Sequence, residues 1–263
     1  MSENLVRYDL QPPAVVIEMN RAAKRNALSR ELIAQLTEAV QRARDDEQAR
    51  CVILTGAGPV FCAGMDLGEL QASVGRKDAG PDSVWNDALH LAKLYDLIYT
   101  LPKPTIAAIN GSALAGGAGL VTVCDLAVSV HEAQFGYPEV RRGLVAAMVM
   151  PHLLRHVGER MARYLLLTGE TIDADTACRW GLINSVVPVV QLLEQARAWA
   201  RALAEGGPHA LAETKGLLQQ FSRQALSVED AARASAAPRF TEECQQGLRA
   251  FFEKRSAPWA GGS

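Results

Sequence analysis

The chain has 263 residues, of which 49% are hydrophobic and 21% are charged, and its 27 Lys and Arg nearly balance its 29 Asp and Glu. This composition excludes disordered, collagen-like and coiled-coil proteins. The formal net charge of -2 gives no electrostatic reason to expect a nucleic acid as the partner.

The N-terminus and the cysteines both indicate a cytoplasmic protein. The first eight residues contain neither the apolar segment of a signal peptide nor an Arg-rich amphipathic stretch. The longest weakly polar run, 111–124, is too short and too rich in glycine to span a bilayer. The five cysteines are scattered and form no C-x-x-C pair, which argues against a disulfide framework or a structural zinc site. We therefore expect no membrane partner and no bound metal.

The first half of the chain alternates short β-branched runs with longer helical patterns. Buried strands are predicted over 15–17, 51–54, 105–109 and 126–128. A helix capped by Ser29 follows the first of them, and a second helix over 83–100 is stopped by Pro102 and Pro104. The Gly- and Asp-rich segment 71–82 is predicted to be a mobile loop. Strands separated by helical crossovers predict mainly parallel pairing and an α/β fold.

The second half is predicted to be almost entirely helical. After one more apolar run over 183–187, helical patterns cover 192–203, 210–221, 228–237 and 241–254. They are interrupted by Gly206, Gly207 and Pro208, and again by Pro238. We therefore divide the chain into a core over 1–190 and a helical C-terminal region over 191–263.

Two familiar motifs are incomplete in this sequence. Gly56 and Gly58 begin a dinucleotide fingerprint, but the third glycine is replaced by Phe61 and Pro59 removes an amide that a phosphate would need, which disfavours an NAD-dependent oxidoreductase. His152 and His156 are spaced for one helix face, but no Glu follows His152 as a zinc protease motif requires. The two histidines are better interpreted as part of a solvated helix face.

Two glycine-rich turns are more informative. Residues 61–67 (FCAGMDL) follow the strand over 51–54 and its loop, and residues 110–120 (NGSALAGGAGL) follow the strand over 105–109. Where a helix begins, its first amides are unpaired and its dipole favours negative charge. Two such turns in contact would stabilise a developing oxyanion. Taken alone, the same glycines are better explained by tight turns and close packing of helix on strand.

A third motif places Glu139 directly after Pro138, between apolar and glycine residues. A half-buried carboxylate there would have a raised pKa suited to proton transfer. The alternative is an exposed turn in which Glu139 pairs with Arg141 or Arg142.

Together these three motifs resemble the crotonase, or enoyl-CoA hydratase/isomerase, superfamily. The similarity also includes residues 20–28, 167–170, 180–184 and 247–255, so it extends over about 5–255. It implies a spiral of ββα turns with a helical C-terminal region that mediates trimerisation, commonly as a dimer of trimers. It further implies an acyl-CoA substrate, with coenzyme A entering as part of the thioester and no other cofactor.

The resemblance also implies roles for individual residues. The amides of Met65 and Gly116 would bind the thioester oxygen, and Glu139 would move the proton. Lys254 would reach the nucleotide phosphate of coenzyme A. The rest of the coenzyme A pocket would be formed by Arg25, Ala27, Ala63, Asp66, Leu67, Gly117 and Pro138.

The sequence departs from the best-known hydratases at one catalytic position. Those enzymes use two glutamates, and the first of them corresponds to Gly119 here. The five residues after Gly143, Leu-Val-Ala-Ala-Met over 144–148, also differ from the run that is usual in the family. We expect hydration of a 2-enoyl-CoA, with double-bond isomerisation by the single Glu139 as the alternative. Acyl-CoA decarboxylation and a non-catalytic acyl-CoA-binding subunit are the further alternatives.

Overall fold

The structure is a computed structural model that describes residues 4–73, 81–222 and 228–255. Its strands are β1 (Val6–Gln11), β2 (Ala14–Met19), β3 (Cys51–Gly56), β4 (Val60–Cys62), β5 (Thr105–Ile109), β6 (Ser112–Leu114), β7 (Leu126–Val130), β8 (Gln134–Gly136), β9 (Thr171–Asp173) and β10 (Ser185–Val187). Its helices are α1 (Arg30–Asp45), α2 (Leu67–Ser73), α3 (Pro81–Thr100), α4 (Gly116–Val123), α5 (Met150–Thr168), α6 (Ala174–Arg179), α7 (Leu192–Ala204), α8 (Pro208–Ser222), α9 (Val228–Ala236) and α10 (Glu242–Phe252). Short 3-10 turns lie at Ala22–Lys24, Pro138–Arg142, Val189–Gln191 and Ala237–Phe240.

The strands form two sheets that the chain visits in turn. The larger sheet has the order β1-β2-β3-β5-β7-β10, and all its pairs are parallel except β1 with β2. The smaller sheet has the order β4-β6-β8-β9 and is parallel except for β8 with β9. Because β3, β5 and β7 of the larger sheet lead into β4, β6 and β8 of the smaller one, the turns after these three short strands are brought side by side.

The predicted strands and the predicted α/β class are confirmed. Ser29 also caps α1 as predicted, since its hydroxyl accepts a hydrogen bond of 3.2 Å from the Leu32 amide. The apolar run over 183–187 is only partly a strand, because Ile183 is buried in the core ahead of β10. The predicted loop over 71–82 is partly wrong: α2 continues to Ser73 and α3 starts at Pro81, while 74–80 lie outside the described residues.

The helical second half is confirmed, with helix ends within a few residues of those predicted. Helix α7 packs on the larger sheet and buries Leu192, Ala196 and Ala200 in the same core as the strands. The division after residue 190 stays a prediction. No helix in the described ranges is both long and apolar enough to cross a membrane.

The expectation that His152 and His156 belong to a solvated face of α5 is wrong in part. The His152 ring packs edge-on against Tyr99, with ring centroids 4.7 Å apart. His156 Nε2 lies 2.9 Å from the carbonyl oxygen of Thr122. The two histidines therefore help α5 to pack against α3 and α4.

A largely buried ion pair docks α8 onto the larger sheet. Lys215, 8% exposed, donates to Asp125 Oδ2 at 2.7 Å. The same oxygen accepts from the Thr105 amide at 2.7 Å and from its hydroxyl at 2.9 Å. The carboxylate thus joins the edge of β5, the start of β7 and a helix about 90 residues later in the chain.

We predict that Lys215→Ala lowers the free energy of unfolding by about 3 kcal/mol, because it leaves the Asp125 carboxylate without its cation. The exposed Lys93 is the control, and Lys93→Ala is expected to change stability by less than about 0.5 kcal/mol. Chemical denaturation followed by circular dichroism measures both. Equal effects of the two substitutions would show that the ion pair does not stabilise the fold.

Candidate active site

The two glycine-rich turns meet in the structure. The Leu28 amide donates to the Gly64 carbonyl at 2.8 Å, and the Asp66 amide donates to the Leu28 carbonyl at 3.0 Å, which fixes the first turn around Met65. A Cβ atom added to Gly64 would lie only 3.2 Å from the amide nitrogen of Gly116. The two turns therefore touch at this point, and only a residue without a side chain fits between them.

Both predicted oxyanion amides lack a backbone acceptor within the described residues. Gly116 is the first residue of α4, so its N–H has no acceptor within the helix. Over the described residues, no backbone carbonyl accepts a hydrogen bond from Met65 or Gly116. Since all eight residues of α4 are buried, the positive end of its dipole is little screened by solvent. The arrangement suits an oxygen atom that acquires negative charge.

Close packing of α4 on β4 holds the second turn in place. A Cβ atom at Gly117 would lie 2.2 Å from the carbonyl oxygen of Cys62. Gly117, predicted to line the coenzyme A pocket, therefore faces β4 and is not among the residues that line the cavity. The interpretation of these glycines as residues of close packing is confirmed, and the same packing brings the two turns into contact.

Asn26 fixes the first glycine-rich turn through hydrogen bonds of its side chain. Its fully buried side chain donates from Nδ2 to the carbonyls of Ala57 (2.9 Å) and Val60 (2.7 Å), and its Oδ1 accepts from the Arg21 amide at 2.9 Å. These hydrogen bonds connect the segment over 20–28 to β4. Asn26 lies within the motif over 20–28, but an asparagine at that position does not by itself indicate this structural role.

Glu139 lies in the 3-10 turn after β8 and faces the same cavity as Met65 and Gly116. Its Oε2 atom is buried and has no hydrogen-bond partner. Burial raises the pKa of the carboxyl from 4.5 to about 7, against smaller opposing effects of a backbone hydrogen bond and of Arg142. A carboxyl with this pKa exchanges protons readily near neutral pH.

The alternative of an exposed ion-paired turn does not hold for Glu139. Arg141 instead forms a salt bridge with Glu170 and donates to the Thr168 carbonyl. Arg142 donates to the Pro138 carbonyl at 3.2 Å, and its guanidinium lies 4.5 Å from the ring centroid of Phe251. Neither arginine forms a salt bridge with Glu139 in the described part of the chain.

Tyr95 fills the space beside Gly119, where the resemblance places the missing glutamate. A Cβ atom at Gly119 would lie 2.6 Å from the Tyr95 hydroxyl and 2.5 Å from Val149 Cγ1. The buried hydroxyl donates to the Gly116 carbonyl at 2.7 Å. Burial raises the pKa of this phenol well above its usual value, so it remains protonated. A second carboxylate is thus excluded here by packing, and a phenol occupies its place.

The other acidic residue of the cavity is committed elsewhere. Asp66 accepts from Arg21 Nη1 at 2.6 Å and from the amides of Gly68 and Glu69 at the start of α2. Burial alone would raise the pKa of Asp66, but these interactions outweigh it and hold the pKa below its usual value. Glu139 is therefore the acidic side chain of this cavity that is available for proton transfer.

The cavity has a volume of about 540 Å³ and contains most of the predicted site residues. Of these it is lined by Arg25, Ala27, Ala63, Met65, Asp66, Leu67, Gly116, Pro138 and Glu139. The exposed Lys254 follows α10, two residues beyond the cavity-lining Phe252, and does not itself line the cavity. The sequence reasoning missed several lining residues that come from distant helices: Leu91, Tyr95, Ser235, Arg239, Phe251 and Phe252.

We predict that Gly117→Ala destabilises the protein by about 2 kcal/mol, because the added methyl group collides with the backbone of β4. Gly216 in α8 is the matched control, since a Cβ atom there meets nothing within 4 Å. Gly216→Ala is expected to be stabilising by about 0.5–1 kcal/mol. Thermal unfolding distinguishes the two, and a neutral effect of Gly117→Ala would contradict the close packing of α4.

We further predict a pH-dependent gain of stability in Glu139→Gln. Between the unfolded pKa of 4.5 and the folded pKa of about 7, the native protein retains a proton that the unfolded chain releases. Ionisation of Glu139 therefore costs native stability as the pH rises through this range. Glu139→Gln removes this cost. The free energy of unfolding of the variant is therefore expected to exceed that of the wild type by about 1–3 kcal/mol at pH 8 and to equal it near pH 4. The control is Glu159→Gln on the exposed surface of α5, and an equal gain there would refute the assignment.

Comparison with known proteins identifies the family. The sequence profile of the enoyl-CoA hydratase/isomerase family matches residues 11–262. The chain is 34% identical over 267 residues to 2,3-dehydroadipyl-CoA hydratase of Escherichia coli, covering 99% of this chain and 100% of that protein. It is 33% identical over 262 residues to crotonyl-CoA hydratase of Syntrophomonas wolfei, covering 97% of each. An enoyl-CoA hydratase/isomerase structure from Xanthobacter autotrophicus superposes with a TM-score of 0.86 at 28% identity, over 99% of this chain and 100% of that one. The chain belongs to the enoyl-CoA hydratase/isomerase family and has the crotonase fold.

Proposed function

We propose that the protein adds water reversibly to the double bond of a 2-enoyl-CoA. The observation that carries this proposal is the placement of one buried, unpartnered carboxylate oxygen of Glu139 in the same cavity as the two free amides of Met65 and Gly116. The family supports this chemistry, and the similar proteins include hydratases named for a crotonyl and for a dehydroadipyl thioester. Those names differ in the acyl group, so they do not determine which acyl group this chain accepts.

The amides would stabilise the charge that the reaction places on the thioester oxygen. As a water oxygen bonds to Cβ, the electron pair of the C=C bond moves toward the carbonyl and forms an enolate. Two preorganised N–H donors, from Met65 and Gly116, would hold this oxygen. Each is worth about 3 kcal/mol of barrier, by comparison with other oxyanion holes.

Glu139 would perform both proton transfers. The ionised carboxylate accepts a proton from the attacking water, and the resulting acid returns a proton to Cα of the enolate. Its two oxygen atoms allow both steps from one side of the substrate, and the net change is the addition of H and OH to the double bond. A pKa of about 7 makes both protonation states accessible during turnover.

Coenzyme A would enter as part of the substrate. The exposed Lys24 and Arg25 lie at the rim of the cavity and would meet the phosphates, with Lys254 as a further cation. Ala27, Ala63, Asp66, Leu67 and Pro138 would line the passage to the thioester, and we propose no other cofactor. The role of Gly117 would be indirect, through the packing of α4.

Isomerisation of a 3-enoyl-CoA is the second candidate. It is favoured by the filled space beside Gly119, because one carboxylate suffices to carry a proton between C2 and C4. Decarboxylation would need only the amides and a proton donor, and a non-catalytic subunit would bind acyl-CoA without turnover. Mass spectrometry of products from 2-enoyl- and 3-enoyl-CoA in heavy water separates these reactions by the mass gained or lost.

We predict that Glu139→Gln lowers kcat at least about 100-fold, as is typical for loss of a general acid or base. Binding of saturated butyryl-CoA is expected to remain within a few-fold of wild type. In the wild type, kcat/KM is expected to rise with pH and level off above about 7, because the carboxylate must be ionised to accept the first proton. Stopped-flow assays across pH 5–9 measure this limb. The same rise of kcat/KM with pH in Glu139→Gln, or full activity of that variant, would refute the proposed role of Glu139.

We also propose a cytoplasmic homotrimer or dimer of trimers. All five cysteines are free thiols, which suits a reducing compartment. The exposed Leu217 and Leu218 on α8 and Leu167 on α5 offer apolar surface that assembly would cover.

A further inference from the structure

Arg239 is a buried cation for which the described residues provide no salt bridge. It lies in the 3-10 turn between α9 and α10 and is only 3% exposed. Its Nε atom has no hydrogen-bond partner, and the described residues form no salt bridge with its guanidinium. Because an unpaired buried charge is costly, proteins rarely retain one unless something else binds it.

The nearest acidic residue is already occupied. Asp87 attracts Arg239, but both of its oxygens are bound by Arg30, from Nε at 2.7 Å and from Nη2 at 2.6 Å. The pair is therefore neutral before Arg239 is counted. Of the other side chains that act on Arg239, Arg30 is itself a cation. The buried thiol of Cys244 supplies no anion at neutral pH, because burial raises its pKa to about 11. Among the described residues, the positive charge of Arg239 is therefore uncompensated.

Arg239 lines the cavity that holds Glu139 and the two oxyanion amides. The buried Ser235, four residues earlier and at the end of α9, lines it as well. A hydroxyl and a guanidinium together are the donors that a carboxylate prefers. Arg142 also lines the cavity, but it stacks on Phe251 and acts on Glu139, so it belongs to the reacting end.

Helix α3 sets the separation of the two ends of the cavity. Asp87, Leu91 and Tyr95 succeed one another at helical spacing, and Tyr95 bonds to Gly116 whereas Asp87 lies beside Arg239. Eight residues of helix span about 12 Å. Since an arginine side chain bridges part of that distance, a short acyl chain can extend from the oxyanion amides to the guanidinium.

We propose that Arg239, with Ser235 beside it, binds a carboxylate at the far end of the acyl chain. The substrate class is then a dicarboxylic acid held as its mono-thioester with coenzyme A. This inference rests on the proposed function, because it takes the thioester to lie at Met65 and Gly116. It adds a recognition site that acts on the acyl group and not on coenzyme A.

The test compares substrates that differ only in the distal group. The pairs are glutaconyl-CoA with 2-pentenoyl-CoA, and 2,3-dehydroadipyl-CoA with 2-hexenoyl-CoA. The wild type is expected to favour the carboxylated member of at least one pair by at least about tenfold in kcat/KM, as one charge-assisted hydrogen bond allows. Arg239→Met is expected to bring this ratio close to one, and Arg239→Lys to retain part of it.

Arg233→Met is the matched control, since Arg233 lies on α9 but is exposed and stacks on Trp85. It is expected to keep the wild-type ratio. Thermal unfolding shows whether each variant folds, and Arg239→Met is expected to melt no lower than the wild type because it removes an unpaired buried charge. A wild-type ratio near one in both pairs, or an unchanged ratio in Arg239→Met, would overturn the inference.

Binding of unreactive thioesters separates this inference from the proposed function. Calorimetry with glutaryl-CoA and pentanoyl-CoA needs no turnover, and the wild type is expected to bind glutaryl-CoA at least about tenfold more tightly. If no enoyl-CoA is converted but this preference is present and lost in Arg239→Met, the proposed function fails and the carboxylate site stands. If enoyl-CoA is converted but neither preference is found, the carboxylate site fails and the function stands.

Discussion

The contact between the two glycine turns is the constraint on which the site depends. Gly64 approaches the Gly116 amide so closely that a side chain would separate the turns, and Gly117 lies directly on the backbone of β4. The parallel pairing of β4 with β6 brings these turns to the same edge of the smaller sheet. The larger sheet leads directly into those short strands, and under the proposed function its effect is to position the N–H groups of Met65 and Gly116.

The same constraint explains why one carboxylate is present at the positions where the resemblance to the best-known hydratases leads us to expect two. At Gly119 the helix is pressed against Tyr95 and Val149, and a longer side chain would have to displace one of them. The Tyr95 hydroxyl instead donates a hydrogen bond to the Gly116 carbonyl and so restrains the turn that carries the second amide. Catalysis would then depend on a rigid oxyanion site and on the raised pKa of Glu139, with no second acid to share the proton transfers.

The sequence predicted what depends on local pattern. Strand β3, the Ser29 cap and the glycine turns all follow from spacing within a dozen residues. Strands β4, β6, β8 and β9 are three residues long, too short for an alternation to be visible, and were missed. Tyr95 and Arg239 reach the site from helices whose position depends on tertiary packing, and nothing near them in the sequence distinguishes them from core or surface residues.

Unsatisfied polar atoms occur both at the proposed catalytic end of the cavity and at the proposed carboxylate site. Folded proteins pair nearly all their buried polar groups, so those left unpaired mark places where a ligand or water completes the structure. Among the described residues, such atoms occur on Glu139, Arg142 and Arg239, which line one cavity, and on Trp85, Tyr137 and Arg197, which do not line it. A neutral acyl chain would satisfy the first of these groups through the reacting water and leave the guanidinium of Arg239 unpaired. A chain that ends in a carboxylate would satisfy both ends of the cavity at once, which is why the charge of the acyl group, more than its length, is expected to decide the substrate.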